Sequence, residues 1–284
     1  MKNFIKGVLV GMALLLCGGA SAKDDNVKIV TLNVRIQTST DTGDLKWEAR
    51  RKPCVKAIKK NNPDVFGLQE AFYEHKSYID KGLKGFQIVD SGEKPGDIGE
   101  DGKFNQNPIF FKTERLELLD YGSFFLNENQ TPDKKGWDAA YVRNVNWVKL
   151  KIKKSGKIFF CFNTHLDDQG ETAREESADL IVRKIKQIAG DDAVVFLFGD
   201  FNTTSSNKAL SPIHEYMKEA FLSVKKATKV LSFNNFGNKT NYSSSIDHIF
   251  WRGARIKGYD VDDSHKYGVK YISDHYPVIS EFGF

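Results

Sequence analysis

Ala193-Val194-Val195-Phe196-Leu197-Phe198-Gly199-Asp200-Phe201-Asn202-Thr203 sets six apolar residues directly against a polar turn. A short apolar run rich in β-branched and aromatic residues reads as a buried strand. Gly, Asp and Asn favour turns, so the strand is expected to stop near 199 and present Asp200 and Asn202 at its carboxyl end. The same design recurs upstream. Residues 27–34 form a β-branched run carrying Asn33, residues 65–68 run into Gln69-Glu70, and residues 158–164 run into His165-Leu166-Asp167. In α/β sheets, sites assemble at the carboxyl ends of strands. These polar ends are therefore expected to converge.

The surrounding sequence supplies the rest of an α/β pattern. Apolar residues recur at helical spacing over 47–60, where Pro53 marks a start or a kink, and helices are also read over 71–82 and 171–188. In the last of these Ala178, Ile181, Val182 and Ile185 share one face. Further strands are read at 86–89, 108–111, 116–121, 145–152, 246–251, 254–261 and 278–282, with long polar loops at 38–44, 91–106 and 127–138. No linker interrupts the alternation, so one domain is expected over 23–284.

Residues 1–22 read differently. Lys2 and Lys6 precede an apolar run, and Ala20-Ser21-Ala22 follows it. That order is the one of a cleaved secretory signal, and it points to a secreted or periplasmic protein. Leu16 ahead of Cys17 is a poor setting for lipidation, and the run is too short to span a bilayer as a stable anchor. The formal charge is +5, and losing the two leader lysines brings it to +3. A balance that weak does not by itself imply a nucleic-acid partner. Cys54 and Cys161 both sit in apolar surroundings and read as small buried hydrophobes. A monomer is expected.

The chemistry-bearing inventory is Asn33, Glu70, His165, Asp200, Asn202, Asp247, Asp274 and His275. Carboxylate and amide oxygens suit Mg²⁺, with Mn²⁺ as a substitute, rather than zinc. The remaining histidines His75, His214, His248 and His265 lack zinc spacing and read as core or surface residues. No phosphate-cradling glycine loop and no Gly-x-Ser-x-Gly elbow occurs. Metal-assisted hydrolysis is the chemistry these groups suit, with one carboxylate on the metal, another on the water, and a cationic histidine facing the developing charge. Each signature alone is weak, since Gly-Asp-Phe-Asn is also a good turn and Asp–His a common structural pair.

Their ordered set carries more. Thr31-Leu32-Asn33-Val34-Arg35, Leu68-Gln69-Glu70, Asn163-Thr164-His165-Leu166-Asp167, Gly199-Asp200-Phe201-Asn202-Thr203, Ile246-Asp247-His248-Ile249-Phe250 and Ser273-Asp274-His275-Tyr276-Pro277-Val278 together resemble the endonuclease/exonuclease/phosphatase superfamily. The resemblance implies an α/β four-layer sandwich with two central mixed β-sheets flanked by helices. It implies Mg²⁺ on Glu70, with Asn33 on metal or phosphate and Asp274 approaching the metal. It further implies that Asp200 activates water, Asn202 holds the phosphate or Asp200, His275 contacts the phosphate with Asp247 orienting it, and His165 is a second phosphate contact. Arg35 stands where some relatives carry an acid, which weakens the likeness to abasic-site nucleases.

Substrate choice is expected to lie outside these signatures. Trp137, Tyr141 and Arg143 form an aromatic–cationic group suited to stacking a base or sugar and gripping a phosphate. The substrate is expected to be a phosphodiester or phosphomonoester, with a nucleic-acid fragment as the alternative. A catalytically inactive binding protein on the same fold is the reading from another class, and the intact set of acids and His275 weighs against it.

Overall fold

Successive side chains of a strand point to opposite faces, and that parity organises this molecule. In the computed structural model, which describes residues 25–90, 93–99, 107–225 and 227–284, β1 (Asn26–Asn33) turns Val27 and Ile29 to one face and Val30 and Leu32 to the other. The leader expected at 1–22 lies outside the described residues, as does part of the 91–106 loop.

The strands following β1 are β2 (Val65–Gln69), β3 (Phe86–Val89), β4 (Ile109–Lys112), β5 (Leu116–Phe125), β6 (Asn144–Ile152), β7 (Ile158–His165), β8 (Val195–Asp200), β9 (Lys218–Glu219), β10 (Asp247–Arg252), β11 (Arg255–Val261) and β12 (Val278–Gly283). They make two six-stranded sheets, in the orders β11-β12-β1-β2-β4-β3 and β5-β6-β7-β8-β10-β9. Both are mixed. β1 and β2 pair in parallel across helix α1 (Trp47–Asn61), and β7 and β8 pair in parallel across helix α3 (Glu171–Ala189). Helix α2 (Tyr73–Gly82) joins α1 outside the first sheet, where Trp47, Cys54, Ile58 and Ile79 pack on Leu32, Phe66 and Phe110. Outside the second sheet Ala178, Ile181 and Ile185 of α3 pack on Phe162, Val195 and Leu197. The sheets bury Ile29, Phe111, Phe159, Phe196, Phe198 and Phe282 between them. The expected four-layer sandwich is therefore present.

Three departures from the sequence reading have local causes. α1 runs continuously through Pro53 rather than beginning there. β5 continues past 121 to Phe125 because its ladder with β6 extends to Phe125↔Asn144. The short α4 (Ser211–Tyr216), β9 and α5 (Ala220–Ser223) fall below the length at which periodicity is readable. Cys54 and Cys161 are buried free thiols in different apolar layers.

Gly67 sets how closely the two sheets approach near the active end. A Cβ there would lie 2.5 Å from both Asn163 Cγ and Phe198 Cε2 of the facing sheet. The carboxyl ends of β1 and β2 are thereby held against those of β7 and β8.

Candidate active site

Parity also decides what meets between the sheets at that end. Asn33, Gln69, Asn163, Asp200 and Asp247 are all buried there. The register places His165 beside Asp200 and Asp247 opposite Asp200. Gln69 Nε2 donates to Asn163 Oδ1 at 2.7 Å and to Thr31 Oγ1 at 3.0 Å. Asn163 Nδ2 donates to the carbonyls of Leu68, Asn107 and Pro108. A buried polar network of this kind is tolerable because its members are satisfied, and it forms the floor of the site.

Asp200 is the hub above that floor. Asn33 Nδ2 donates to Asp200 Oδ2 at 3.0 Å and to Glu70 Oε1 at 3.0 Å, while Asn33 Oδ1 accepts from the Arg35 N–H at 2.9 Å. The backbone N–H of Asn202 donates to Asp200 Oδ1 at 2.9 Å. On the other side His275 Nε2 lies 3.7 Å from Asp200 Oδ2, and His275 Nδ1 lies 2.7 Å from Asp247 Oδ2. Burial, and then the nearby Asp247 charge, push the Asp200 carboxyl up to about 7 against the opposing pull of His275. For His275 burial acts downward, but the Asp247 and Asp200 carboxylates outweigh it and raise the imidazole to about 10. His275 is thus a cation held at Nδ1, with Phe233 packed on its ring at 4.9 Å.

His165 is its opposite. Burial, then the charges of Arg143 and His275, hold it well below the usual histidine range. The neutral ring accepts at Nε2 from Asn202 Nδ2 at 2.9 Å, and the same amide donates to the Leu166 carbonyl at 3.0 Å. Asn202 takes a left-handed backbone with φ 50°, as Glu70 does with φ 55°. At some cost in backbone strain, the first turn puts the Asn202 side chain on His165 and the second puts Glu70 on Asn33.

Two donor sets could be considered for a metal ion. Asp200, Asp247 and His275 offer atoms within 4.8 Å of one another. His275 is not available to a cation, however, since once protonated it donates to Asp247 and has no lone pair left to give. Glu70 and Asp274 are the better fit, because both are carboxylates lining the same cleft. Burial first, and the Glu70 charge among the further causes, raises the Asp274 carboxyl. Hard oxygens suit Mg²⁺. Asn33, expected on the metal or the phosphate, stands directly beside Glu70. Its Oδ1 is taken by the Arg35 N–H and its amide nitrogen faces the two carboxylates, so it bridges Glu70 and Asp200. Arg35 pairs with Asp274 at 3.3 Å and Asp41 at 3.4 Å.

These groups line one end of a cleft of about 650 Å³, whose other walls include Phe72, Tyr141, Arg143, Asp168, Phe233 and Tyr242. Tyr141 and Arg143 are where the sequence reading puts them, with the guanidinium 5.2 Å from the Tyr141 ring centre. Trp137 is not. It packs on the apolar layer under α3 and does not line the cleft. Arg143 is also no free cation, since it lies 3.5 Å from Asp167 and 3.3 Å from Asp168. Asp138, the nearer acid in sequence, accepts instead from Ala173 N–H at the start of α3. Asp167 accepts from the N–H groups of Ala140, Tyr141, Gln169 and Gly170, tying the cleft wall to the end of β7. Of the histidines read as unspecialised, His75 is buried under Trp47 and pushed down to about 3 by burial and then Arg50, whereas His248 is buried in an ion pair with Glu219.

Residues 30–275 match the model of the endonuclease/exonuclease/phosphatase family. The chain belongs to that family. Its motifs are the strand ends described above, so the endonuclease/exonuclease/phosphatase fold and the site are one arrangement. A family member from Bacteroides vulgatus is 31% identical with a TM-score of 0.80, over 90% of this chain and 98% of that one. A mannosyl-6-phosphatase of Bacteroides thetaiotaomicron is 28% identical with a TM-score of 0.81, over 91% of this chain and 100% of that one. Nocturnin of Drosophila melanogaster is 28% identical over 202 residues, which cover 64% of this chain but 30% of nocturnin. The chain spans under a third of nocturnin's length. As a member of this family the protein is a phosphoester hydrolase. Among the described residues no helix is long and apolar enough to cross a membrane.

Proposed function

We propose that the enzyme is an exported, Mg²⁺-dependent phosphoesterase acting on a small phosphomonoester whose leaving group is uncharged, such as a sugar. The observation that carries the chemistry is Asp200, held between the Asn33–Glu70 bridge and the His275–Asp247 pair. When bound at Glu70 and Asp274, Mg²⁺ or Mn²⁺ supplies positive charge to the phosphoryl oxygens. The chain's own groups do the rest. Ionised Asp200 takes the proton of the attacking water while Asn33 and the Asn202 N–H hold its two oxygens. Protonated His275 donates from Nε2 to a phosphoryl oxygen, with Asp247 keeping the ring in place. Neutral His165, held at Nε2 by the Asn202 amide, lines the same cleft beside Asp200.

The leaving-group preference rests on charge. With Asp167 and Asp168 beside it, Arg143 has little net attraction left for a second phosphate, and half-exposed Asp168 repels one. A polyhydroxyl group gains from a carboxylate beside an exposed tyrosine ring. The whole-length likeness to a mannosyl-6-phosphatase agrees. Export rests on the basic, apolar, Ala-x-Ala order of residues 1–22, and N-terminal sequencing of exported protein beginning near Lys23 is the expected result.

The test is a turnover panel of p-nitrophenyl phosphate, bis(p-nitrophenyl) phosphate, a hexose 6-phosphate and a short oligonucleotide, with and without EDTA. Activity should vanish with chelator, return with Mg²⁺, and be greatest on the hexose phosphate. Full activity in excess EDTA would overturn the metal assignment, and preference for the oligonucleotide would overturn the leaving-group reading. Glu70→Gln should weaken Mg²⁺ binding at unchanged Tm.

A further inference from the structure

Strand β10 carries two histidine–carboxylate pairs back to back. Asp247 points into the layer between the sheets and holds His275. The next residue, His248, points the other way, into the apolar layer under α3, where it and Glu219 are each 2% exposed. His248 Nδ1 lies 2.8 Å from Glu219 Oε1, and His248 Nε2 lies 2.8 Å from the carbonyl oxygen of Thr203. A carbonyl only accepts, so Nε2 carries a proton and donates it. Glu219 is fixed in turn by the Ser205 hydroxyl at 2.7 Å and by pairing of β9 with β10. Phe201 and Phe250 pack their rings on the imidazole.

Burying an ion pair is costly unless its geometry is well satisfied, and nothing in the apolar layer requires one. What it touches is the turn after β8. Residues 200–203 hold the left-handed Asn202, whose N–H binds Asp200 and whose amide binds His165. Thr203 is the exit of that turn, and His248 grips its carbonyl. We propose that Glu219 and His248 are positioning residues for phosphoester hydrolysis. The pair clamps the turn from behind, so that Asp200 stays aimed at the reacting phosphate and the Asn202 amide stays on His165, while Asp247, one residue away, aims His275 from the front. The inference rests on the roles proposed above for Asp200 and Asn202.

His248→Ala is tested on p-nitrophenyl phosphate and bis(p-nitrophenyl) phosphate. With the turn released, kcat should fall about 100-fold, the scale of a misplacement of roughly 1 Å, while KM changes little. Added imidazole should restore part of kcat by refilling the vacated space. Ile185→Val is the control, because it loosens the same apolar layer from the α3 side, away from the rings on the imidazole, and should lower Tm while keeping kcat. Glu219→Gln, which retains an acceptor for Ser205 and removes the charge, should lower kcat several-fold at unchanged KM and decides the matter if His248→Ala does not fold. Wild-type kcat in folded His248→Ala or Glu219→Gln would overturn the proposal. So would an Ile185→Val enzyme whose kcat falls as far as that of His248→Ala at the same loss of Tm, with imidazole restoring neither. A wild type inactive on both esters would instead sink the phosphoesterase reading, and this inference with it.

Discussion

The layer between the two sheets has an apolar end and a polar end, built from the same strands. At the apolar end Phe159, Phe196, Phe282 and Ile29 interlock. At the other, inward positions of the same parity carry Asn33, Gln69, Asn163, Asp200 and Asp247. The apolar end contributes stability through burial. The polar end gains little from burial and must satisfy every group it hides. It meets most of that need by bonding side chains to one another across the layer, leaving Asp247 Oδ1 without a partner among the described residues, and the reactive arrangement is a product of that requirement. Asp200 stays charged or neutral according to pH because its neighbours balance it, and His275 stays cationic because two acids outweigh burial.

Substitutions at the two ends should therefore fail in different currencies, and the largest effect lies at the polar end. His275→Ala and Asp200→Asn should each lower kcat of the folded protein on the order of 10³-fold, as read by steady-state kinetics beside a melting curve, in which His275→Ala also lowers Tm because it leaves buried Asp247 without its cation. Phe196→Ala at the apolar end should cost about 3–5 kcal/mol of stability in chemical denaturation, with kcat of the folded fraction unchanged. A folded Phe196→Ala enzyme with a collapsed kcat would show that the two ends are coupled and the comparison too sharp.

Much of this division was readable beforehand. Strand ends at Asn33, Glu70, His165 and Asp200 follow from apolar runs meeting turn formers, and the alternation that sends Asp200 inward is the one that sends Phe196 and Phe198 inward. Asn163 shares parity with His165 and could have been assigned to the floor on that ground. The Asp247–His275 pair came with the family resemblance, but the other charge partners were not readable. Arg143 is compensated by Asp167 and Asp168 rather than the nearby Asp138, because Asp138 is drawn to the free N–H groups at the start of α3. Trp137 turns away into the layer under α3. His248 meets Glu219, 29 residues away, only because sheet register brings β9 beside β10, which no local pattern announces.

Gly67 tests where the two ends join. Gly67→Ala forces a methyl to within 2.5 Å of Asn163 and Phe198, so the sheets must part or the side chains must leave their rotamers. Overpacking of this kind costs about 1–3 kcal/mol. Because Asn163 anchors the floor, kcat should fall along with Tm, unlike in Phe196→Ala. Unchanged kcat at lowered Tm would place Gly67 with the apolar end.

The smallest rate loss expected among the reacting groups themselves is also the most specific. Asp247→Asn keeps the shape beside His275 and removes one charge, so kcat at the optimum should fall about tenfold, roughly 1.4 kcal/mol. The pH profile carries the argument. In the wild type, activity should rise as Asp200 ionises near 7 and fall as His275 loses its proton near 10. The Asp247 charge lifts both groups, disfavouring the Asp200 anion and favouring the His275 cation. Removing it should move both limbs to lower pH. Stability follows the same sign. The His275 pKa is raised in the folded state, so its contribution is fully present below its unfolded value of about 6.5 and lost as pH climbs towards 10. The fall in Tm across that window should be shallower in Asp247→Asn. If the mutation merely disturbed packing, rate and Tm would drop at every pH and neither limb would move. Kinetic profiles and melting curves from pH 5 to 11 separate the two outcomes, and unmoved limbs would remove Asp247 from the electrostatic role its 2.7 Å contact with His275 gives it.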